Sequence, residues 1–423
     1  MTVVLWLSLG LLLLAGLPIA ISIGSISLAM LLVDGTVSPL AIAQKVVNSV
    51  DSFPLMAVPF FVFAGDIMNR SGVTDKIFGF ANALVGHLPG GLGQVNILSS
   101  VIMAGMSGSA VSDIAGLGKI EMKAMNDAGY DPEFSAAITV SSAVIGPIIP
   151  PSIPLVLYGS IASVSVIKLL AGGLIPGIFL AAVLMAAVAV ISKKRDYPRG
   201  PRPKLSVIWS SLKSSFAALM MPVILLASVL GGIMTPTEGA CFACFYALFI
   251  GKYIYRSLTW KDIWEILKSS SAFVGTTLFV VAMSGVLGQV LTQQNIPQKM
   301  LAFCMAMTQN KYVILLLTNI LLIILGCFME SAAVIVVLAP LLSQLALGFG
   351  IDPIQFGVIV VLNLMISLLT PPIGMGLFLG SKVGNVTFDA LLREVKPFLL
   401  VMFALLLLIT YVPVISTFLP GLL

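Results

Sequence analysis

Apolar runs recur along the whole chain, and two of them are interrupted by prolines. The run at about 134–162 contains G-P-I-I-P-P-S-I-P at 146–154, and a later run contains T-P-P-I-G at 370–374. Proline lacks a backbone N–H and its ring clashes with the preceding turn, so neither helix can continue unbroken. Irregular backbone is tolerated within a membrane only where protein buries it or where it lines a polar cavity. The pattern therefore predicts two transmembrane helices that are broken inside the bilayer.

Two other stretches contain apolar arms that are too short to cross a bilayer. The first has its arms at 95–106 and 114–125, on either side of the small polar tip S-G-S-A-V-S-D at 107–113. The second covers 312–345, with its tip at 326–331. Roughly 20 residues are needed to span the hydrocarbon core, so each stretch is predicted to form a re-entrant hairpin. Two short surface helices joined by a loop are the alternative for the first stretch.

The apolar runs outside these stretches predict ordinary membrane crossings. The run at 3–33 contains Gly16 and Pro18 and is predicted to make two passes with a turn there. Segment 41–52 is more polar and is predicted to lie along the membrane surface. In segment 252–268, tyrosines and tryptophans are interspersed with lysines and an arginine. That mixture predicts a helix at the cytoplasmic membrane surface.

The two halves of the chain align at a single offset of 221 positions. Five pairs of landmarks share this offset: Gly105 and Gly326, Gly129 and Gly350, Asp131 and Asp352, Pro150 and Pro371, and Gly159 and Gly380. Each half therefore contains a hairpin tip, a G-x-D-P turn and a broken helix in the same order. This agreement indicates an internal structural repeat.

Composition and charge fit a membrane protein with several crossings. The 423 residues are 59% hydrophobic and only 9% charged, whereas soluble proteins carry about 25% charged residues. The largest share of the net charge of +5 lies in the loop 192–205, which the positive-inside rule assigns to the cytoplasm. No nucleic-acid partner is indicated. Basic loops flank a two-pass unit in the second half, whereas the matching unit at 3–33 has none, so the halves are predicted to be inverted.

Patterns that would indicate catalysis or metal binding are scarce. Cys241 and Cys244 form a C-x-x-C without a second pair or a histidine cluster, so they are interpreted as buried apolar residues. His87 is the only histidine, and it is interpreted as a loop residue rather than a proton relay. No Ser/His/Asp or metal constellation and no G-x-x-x-x-G-K-[ST] motif is found, so neither an enzyme nor an ATPase is predicted.

The most specific motifs together resemble one family. They are G-M-S-G-S-A-V-S-D at 105–113, A-G-Y-D-P at 128–132, I-G-P-I-I-P-P-S-I-P at 145–154, T-P-T-E-G-A at 235–240 and T-P-P-I-G at 370–374. The chain is similar, over essentially its whole length, to the large membrane subunit of tripartite ATP-independent periplasmic (TRAP) transporters.

The resemblance implies an all-α polytopic protein with an inverted repeat, two re-entrant hairpins and two broken helices. It implies a scaffold at 1–90, 166–310 and 386–423, with a cytoplasmic loop at 192–205 and an interfacial helix at 252–268. It implies a transport domain at 91–165 and 311–385 that moves as an elevator. About two or more sodium ions, and no ATP, would drive import of an organic acid anion across the bacterial inner membrane. The implied partners are a small membrane subunit of about four spans and a periplasmic binding protein.

The resemblance also implies one sodium site at each hairpin tip, where the tip meets a broken helix. Sodium prefers oxygen ligands, and a broken helix frees backbone carbonyls. The first site is expected to contain Ser107, Gly108, Ser109, Gly146, Ile149 and Pro151. The second is expected to contain Gly326, Met329, Thr370, Ile373 and Met375. The residues expected to face the substrate are Ser109, Ser112, Ser331 and Thr370.

Three carboxylates have alternative interpretations. An ionisable residue within the membrane is a functional candidate by default, which applies to Asp113 and Glu330 in the tips. A helix N-cap, or a hydrogen bond that fixes the tip, is the structural alternative for both. Glu238 follows T-P-T at a helix start and is interpreted as a cap and scaffold contact.

The substrate and the need for a binding protein are left open by the sequence. Segment 112–131 resembles sialic-acid-type members, so sialic acid is favoured, with C4-dicarboxylates and other sugar acids next. A self-sufficient sodium–dicarboxylate symporter that needs no binding protein is the main alternative. A channel or a structural membrane subunit is a more distant one.

Overall fold

The computed structural model describes residues 8, 11–12, 15–35 and 37–423, and this part of the chain is helical without strands. Its helices are α1 (Ile19–Asp34), α2 (Pro39–Val50), α3 (Ala57–Arg70), α4 (Val73–Val85), α5 (Gly91–Ser107), α6 (Ala110–Ala115), α7 (Leu117–Asp127), α8 (Pro132–Ala143), α9 (Ile153–Ala162), α10 (Val166–Lys194), α11 (Leu205–Leu230), α12 (Pro236–Phe249), α13 (Trp260–Gln293), α14 (Ile296–Met307), α15 (Lys311–Phe328), α16 (Ser331–Gly348), α17 (Pro353–Ser367), α18 (Met375–Gly384), α19 (Phe388–Tyr411) and α20 (Val414–Thr417). Short 3₁₀ turns occupy Pro54–Met56 and Pro420–Leu422, and a π-turn occupies Ile250–Ile254.

The helices recur at the offset of 221 positions that the sequence predicts. Shifted by this offset, the hairpin helix α5 overlaps α15, and α6 with α7 covers the same span as α16. The broken helix α8–α9 overlaps α17–α18, and its neighbour α10 overlaps α19. Both breaks contain a cis proline bond at equivalent places, 150–151 and 371–372. The internal repeat is therefore present in the fold.

One difference between the halves lies in the second arm of the hairpin. In the second half this arm is the single helix α16, whereas in the first half Gly116 separates α6 from α7. The amide of Asn69, on α3, lies against this glycine: a Cβ at Gly116 would be 3.2 Å from Asn69 Cγ. The break between α6 and α7 therefore lies where the Asn69 side chain of α3 packs against the second arm of the first hairpin.

Side-chain caps account for nine of the twenty described α-helix starts. Asp352 accepts hydrogen bonds from the N–H groups of Ile354 and Gln355 and so caps α17. Ser38 caps α2 and Thr259, at the equivalent position, caps α13. Such caps satisfy donors that the first turn of a helix leaves free. Capping residues therefore mark where the repeat units begin.

The helices form two packing groups. The hairpin group contains the two hairpins and the two broken helices, α5–α9 and α15–α18; α5 packs on α8, α15 on α17, α9 on α16, and α18 on α6 and α8. The frame group contains α1–α4 and α11–α14; α12 packs on α3, α11 on α4, and α13 on α1, α2 and α3. Helices α10 and α19 pack against the broken helices α17 and α8, respectively. The first broken segment is buried throughout between these layers.

Five described helices are long and apolar enough to cross a membrane, namely α10, α11, α13, α15 and α16. The last two are the arms of the stretch 312–345, which were expected to be too short to cross, so the length argument for a re-entrant second hairpin is wrong. The pair of α2 and the segment Pro54–Arg70 adds a sixth crossing if it is one bent span, with a bend of 57°. Of the two passes expected at 3–33, α1 starts after Gly16 and Pro18 as predicted. The first pass lies largely outside the described residues.

The expected interfacial helix at 252–268 is not a single helix. Residues up to Ile254 continue α12 as a π-turn, and α13 begins only at Trp260 and runs on to Gln293. Thr259 accepts a hydrogen bond from the N–H of Asp262 and caps α13, so a new helix starts in the middle of the basic, aromatic stretch. The pattern of charges identified the stretch but not the chain break within it.

The basic loop after α10 is fixed at its start. Arg195 forms ion pairs with Glu394 at 2.8 Å and with Asp131 at 3.6 Å, and its guanidinium lies 5.0 Å from the ring centre of Phe134. The hydroxyl of Tyr197 donates to Asp131 Oδ2 at 2.5 Å. These contacts link the loop between the two halves to the start of the first broken helix and to α19.

Candidate ion and substrate site

The first hairpin tip lies directly on the first broken helix. Helix α5 ends at Ser107, and Gly108 turns the chain with a φ of 58°, a conformation that favours glycine. A Cβ at Gly108 would be only 2.6 Å from the carbonyl oxygen of Pro151 and 3.3 Å from the nitrogen of Ile153. Ser109 then caps α6 through the N–H of Ser112. The close contact between two backbones is possible because residue 108 has no side chain.

Several backbone oxygens of the tip and of the broken helix lack hydrogen-bond donors. Among the described residues, no donor reaches the carbonyl oxygens of Ser107, Gly108, Gly146, Ile149 or Pro151. The carbonyl of Ser109 accepts the N–H of Asp113 at 3.2 Å. The end of α5 adds the partial negative charge of a helix C-terminus. An oxygen-rich, electronegative contact of this kind fits a hard cation such as sodium.

Asp113 adds a full carboxylate to the same place. It is 2% exposed and is buried beside the Ser107 hydroxyl, with which it makes no well-formed hydrogen bond in the described chain. A Cβ at Gly146 would be 2.6 Å from Asp113 Oδ2, so the carboxylate reaches the broken helix. The cap interpretation of Asp113 is wrong, since Ser109 caps α6. A buried carboxylate without a well-formed hydrogen bond is costly unless a cation or a proton neutralises it.

Ile149 takes part in the first site only through its backbone. Its side chain packs against Gly177 of α10, where an added Cβ would overlap it. The remaining expected members of the first site, together with Asp113, come from the tip and the broken helix that meet here.

The second tip also meets its broken helix, with different chemistry. The N–H of Gly374 donates to the carbonyl of Cys327 at 3.4 Å, and a Cβ at Gly326 would be 2.5 Å from Ser367 Cβ. Among the described residues, no donor reaches the carbonyl oxygens of Gly326, Met329, Thr370 or Ile373. Ile373 is 47% exposed, so this contact is more open than the first.

Met375 differs from the other expected members of the second site. It begins α18, so it lies on a regular helix rather than in the break, and it is 38% exposed. The other four expected members of the second site lie in the tip, at Gly326 and Met329, and in the break, at Thr370 and Ile373.

A small cavity of about 60 Å³ lies between the two tips. Ser109 and Ser331 line it from opposite hairpins, together with Glu330 and with Phe273 of α13. Glu330 occupies the N-cap position of α16, as one interpretation predicts, but its side chain makes no capping hydrogen bond. Thr370 does not line this cavity, and its hydroxyl donates to the carbonyl of Ile366 at 3.1 Å.

A larger cavity of about 380 Å³ adjoins the first tip, between α3, α13 and α6. Ser109 and Ser112 line it, and Asn69 Nδ2 donates to Ser112 Oγ at 2.9 Å across the boundary between the two packing groups. Asp66 and Arg70 line it as well. We call it the frame cavity. These α3 residues were not predicted from the sequence, although a carboxylate within the apolar run at 53–68 is itself a signal.

Buried amides brace each broken helix against its hairpin. In the first half Asn96 Nδ2 donates to Thr139 Oγ1 at 2.7 Å, and Ser142 Oγ donates to Asn96 Oδ1 at 2.6 Å. In the second half Asn363 Nδ2 donates to Asn319 Oδ1 at 2.9 Å. These bonds hold α5 to α8 and α15 to α17, so each tip is fixed relative to its break.

The other singled-out residues have structural surroundings. Glu238 and Thr235 form a capping box at α12: Glu238 Oε2 accepts the Thr235 N–H at 2.8 Å, as the cap interpretation predicts. His87 lies in the turn between α4 and α5. Cys244 Sγ donates to the carbonyl of Phe60 at 2.9 Å, and no group of three or more metal-binding side chains occurs in the described residues.

Comparison with known proteins identifies the family. The family described as "Tripartite ATP-independent periplasmic transporter, DctM component" matches residues 6–415. The chain is 41% identical to the sialic acid TRAP transporter large permease protein SiaM of Vibrio cholerae, over 99% of this chain and 97% of that protein. It is 34% identical to the C4-dicarboxylate TRAP transporter large permease protein DctM of Pseudomonas aeruginosa, over 90% and 89% of the two chains.

A longer relative and a solved structure agree with this match. The sialic acid TRAP transporter permease protein SiaT of Haemophilus influenzae is 41% identical, and the match covers 90% of this chain but 62% of that protein. The crystal structure of the Alcanivorax borkumensis YdaH transporter shares the fold, with a TM-score of 0.62 and 15% identity over 90% of this chain and 88% of that one. The chain therefore belongs to the tripartite ATP-independent periplasmic transporter family, as a large permease of the DctM type.

Proposed function

We propose that this permease couples import of an organic acid to sodium, with sialic acid as the favoured substrate. A periplasmic binding protein delivers the acid, a small membrane subunit of about four spans braces the frame group, and the complex lies in the bacterial inner membrane. The hairpin group carries ions and acid together as an elevator. Secondary transport of this kind needs no ATP and no enzymatic step.

The observation that carries sodium coupling is the set of free oxygens at the first tip. Among the described residues, the side-chain oxygens of Asp113 and Ser107 are buried without a well-formed hydrogen bond, and five carbonyls of the tip and the broken helix lack donors. An ion bound here would neutralise Asp113 and join the tip to the broken helix. The second tip offers free carbonyls without a carboxylate at the equivalent place, so we expect a weaker second ion site.

The elevator mechanism is supported by the packing groups and by the cavity positions. Helix α5 of the hairpin group packs on α3, α4 and α11 of the frame group, and the bond from Asn69 to Ser112 adds a polar contact at the first tip. The frame cavity lies beside that tip, and its residue Arg70 pairs with Glu265 in the basic stretch 252–268, which the positive-inside rule assigns to the cytoplasmic side. This arrangement suits an inward-facing state in which the carried acid is released toward the cytoplasm.

Neither tip contains lysine or arginine, so binding of an acid anion would rely on sodium and on helix N-termini for charge balance. Ser109 and Ser331 offer hydroxyls to the acid across the tip cavity. Glu330 adds an acceptor for substrate hydroxyl or amide groups and would repel a second carboxylate. We favour sialic acid because the relatives named for sialic acid are 41% identical to this chain, whereas the C4-dicarboxylate relative is 34% identical.

The test is uptake into proteoliposomes that hold this chain with its small subunit. Labelled sialic acid and succinate are compared, each with and without an inward sodium gradient and with and without the binding protein. We expect sialic acid uptake that requires both. Equal uptake in potassium would refute sodium coupling, and succinate uptake alone would move the substrate to C4-dicarboxylates.

A self-sufficient sodium–dicarboxylate symporter is the second candidate. The fold shared with the YdaH transporter is compatible with it, but that likeness shows the fold alone. Sodium-dependent uptake without any binding protein, at the same rate as with it, would establish this alternative.

A further inference from the structure

The frame cavity is lined by a positively charged side chain, Arg70, that the proposed ion and substrate sites do not use. Its walls include apolar residues of α3 and α13. Four uncharged polar side chains of the first tip and α3 also line it: Ser107, Ser109, Ser112 and Asn69. Among the described lining residues, Arg70 is the only cation and Asp66 the only anion. Both lie on α3 one turn apart, so they face the cavity from the same side.

The two charges are held in different ways. Asp66 Oδ2 accepts the Ser270 hydroxyl at 2.6 Å, and Asp66 is half-buried. Arg70 Nη1 pairs with Glu265 Oε2 at 3.1 Å, and the two side chains are 51% and 49% exposed. An ion pair this exposed contributes little to stability, roughly 0–1 kcal/mol. The Arg70 guanidinium can therefore exchange Glu265 for another carboxylate at low cost.

The frame cavity adjoins the space between the tips. Ser109, Val111 and Phe273 line both cavities. The volume of about 380 Å³ lies within the usual range for small-molecule sites, roughly 300–1,000 Å³. An acid that leaves the tips on this side therefore enters the frame cavity before it reaches bulk solvent.

We propose that the frame cavity is a second, release-side binding site for the transported acid, with Arg70 as the counter-ion of its carboxylate. The carboxylate displaces Glu265 from Arg70, while Asn69 and Asp66 meet the amide and hydroxyl groups of a sugar acid. Asn69 suits this role because its Oδ1 has no hydrogen-bond partner in the described chain. Arg70, Asn69 and Asp66 belong to α3 of the frame group, whereas Ser109 and Ser112 on the opposite wall belong to the hairpin group. This second site rests on the proposed transport function.

Sided proteoliposomes test this site. Binding protein is added only outside, so only molecules whose delivery face points outward transport labelled sialic acid, or succinate if that is the acid the wild type carries. The lumen then corresponds to the release side. Unlabelled acid is loaded into the lumen at increasing concentration, and the concentration that halves initial uptake is measured together with the external half-saturation.

Three variants separate the charge of Arg70 from the ion pair. In Arg70→Gln the lumenal concentration that halves uptake should rise about tenfold or more, with external half-saturation unchanged, because a hydrogen bond to a charged group is lost on that side only. Arg70→Lys should stay within about threefold of the wild type. Glu265→Gln breaks the same ion pair but removes a competitor, so the lumenal concentration should stay equal or fall.

The outcomes are distinct. A rise in both Arg70→Gln and Glu265→Gln would mean that the ion pair is only structural, and an unchanged Arg70→Gln would remove Arg70 from the path; either result overturns the proposal. Should Arg70→Gln prove unstable in detergent, Arg70→Met takes its place: the same rise is expected, and an unchanged lumenal concentration overturns the proposal. Wild-type protein that transports neither acid would instead overturn the proposed function, and this site with it.

Discussion

Gly108→Ala is the sharpest test of the contact between the first tip and its broken helix. Gly108 has a φ of 58°, and a Cβ there would be 2.6 Å from the carbonyl oxygen of Pro151. The left-handed conformation costs a residue with a Cβ about 1–2 kcal/mol. The clash is with backbone rather than with a flexible side chain, and overpacking of this kind costs about 1–3 kcal/mol.

Together these terms come to about 2–5 kcal/mol against the closed tip. The chain can relieve the clash by moving the tip away from Pro151, which separates the oxygens proposed to hold sodium. If about 2 kcal/mol of the cost falls on ion binding, the sodium concentration for half-maximal uptake rises about 30-fold. The assay is uptake in proteoliposomes over a sodium series at fixed acid and binding protein.

Gly129→Ala is the matched control. Gly129 also has a positive φ, 89°, but an added Cβ would meet no atom within 4 Å. This variant therefore carries the conformational cost without the clash, and its sodium dependence should stay within about twofold of the wild type. A Gly108→Ala protein with wild-type sodium dependence would refute the argument that this contact forms an ion site.

Three further predictions follow from buried or capping groups. Asp113→Asn should raise the half-maximal sodium concentration at least about tenfold, because it removes the one carboxylate at the first tip, and uptake kinetics measure it. Asn363→Leu should lower the unfolding free energy by about 1–3 kcal/mol, because Asn319 Oδ1 and its carbonyl lose their donor; thermal unfolding in detergent measures it. Glu238→Gln should lower stability near neutral pH, because the backbone N–H and hydroxyl of Thr235 hold the pKa of Glu238 below its usual value.

The sign of the Glu238 effect sets its pH window. A lowered folded-state pKa stabilises the fold above the pKa of the unfolded chain, and this contribution is lost as pH falls through the folded value. The difference between Glu238→Gln and the wild type should thus vanish in acid, and a difference that persists there would contradict the capping account. Since Glu238→Gln makes the same carboxylate-to-amide change as Asp113→Asn at an exposed cap, unchanged sodium dependence in the former isolates the role of Asp113. A wild-type melting curve for Asn363→Leu would show that the amide pair does not brace the broken helix.

The sequence by itself determined the breaks, the repeat and the helix starts. Proline cannot continue a helix, so the interruptions at 146–154 and 370–374 can be predicted from the sequence, and the structure has breaks at both places. Capping residues such as Asp352 and Glu238 act within three residues of themselves, and their partners are fixed by local spacing. Hydrophobic runs long enough to span are equally local. These features depend on neighbours along the chain and need no knowledge of distant contacts.

The tertiary structure decided which of these local features meet. Asp113 lies against Gly146, and Asn69 lies in the break at Gly116, because helices far apart in sequence pack there. Neither contact can be predicted from the spacing of residues along the chain, because the two residues of each contact lie on different elements. The frame cavity is also a product of packing, between α3, α13 and the first tip. Charge and periodicity identified the stretch at 252–268 but not its division between two helices, because the fold ends α12 and begins α13 within it.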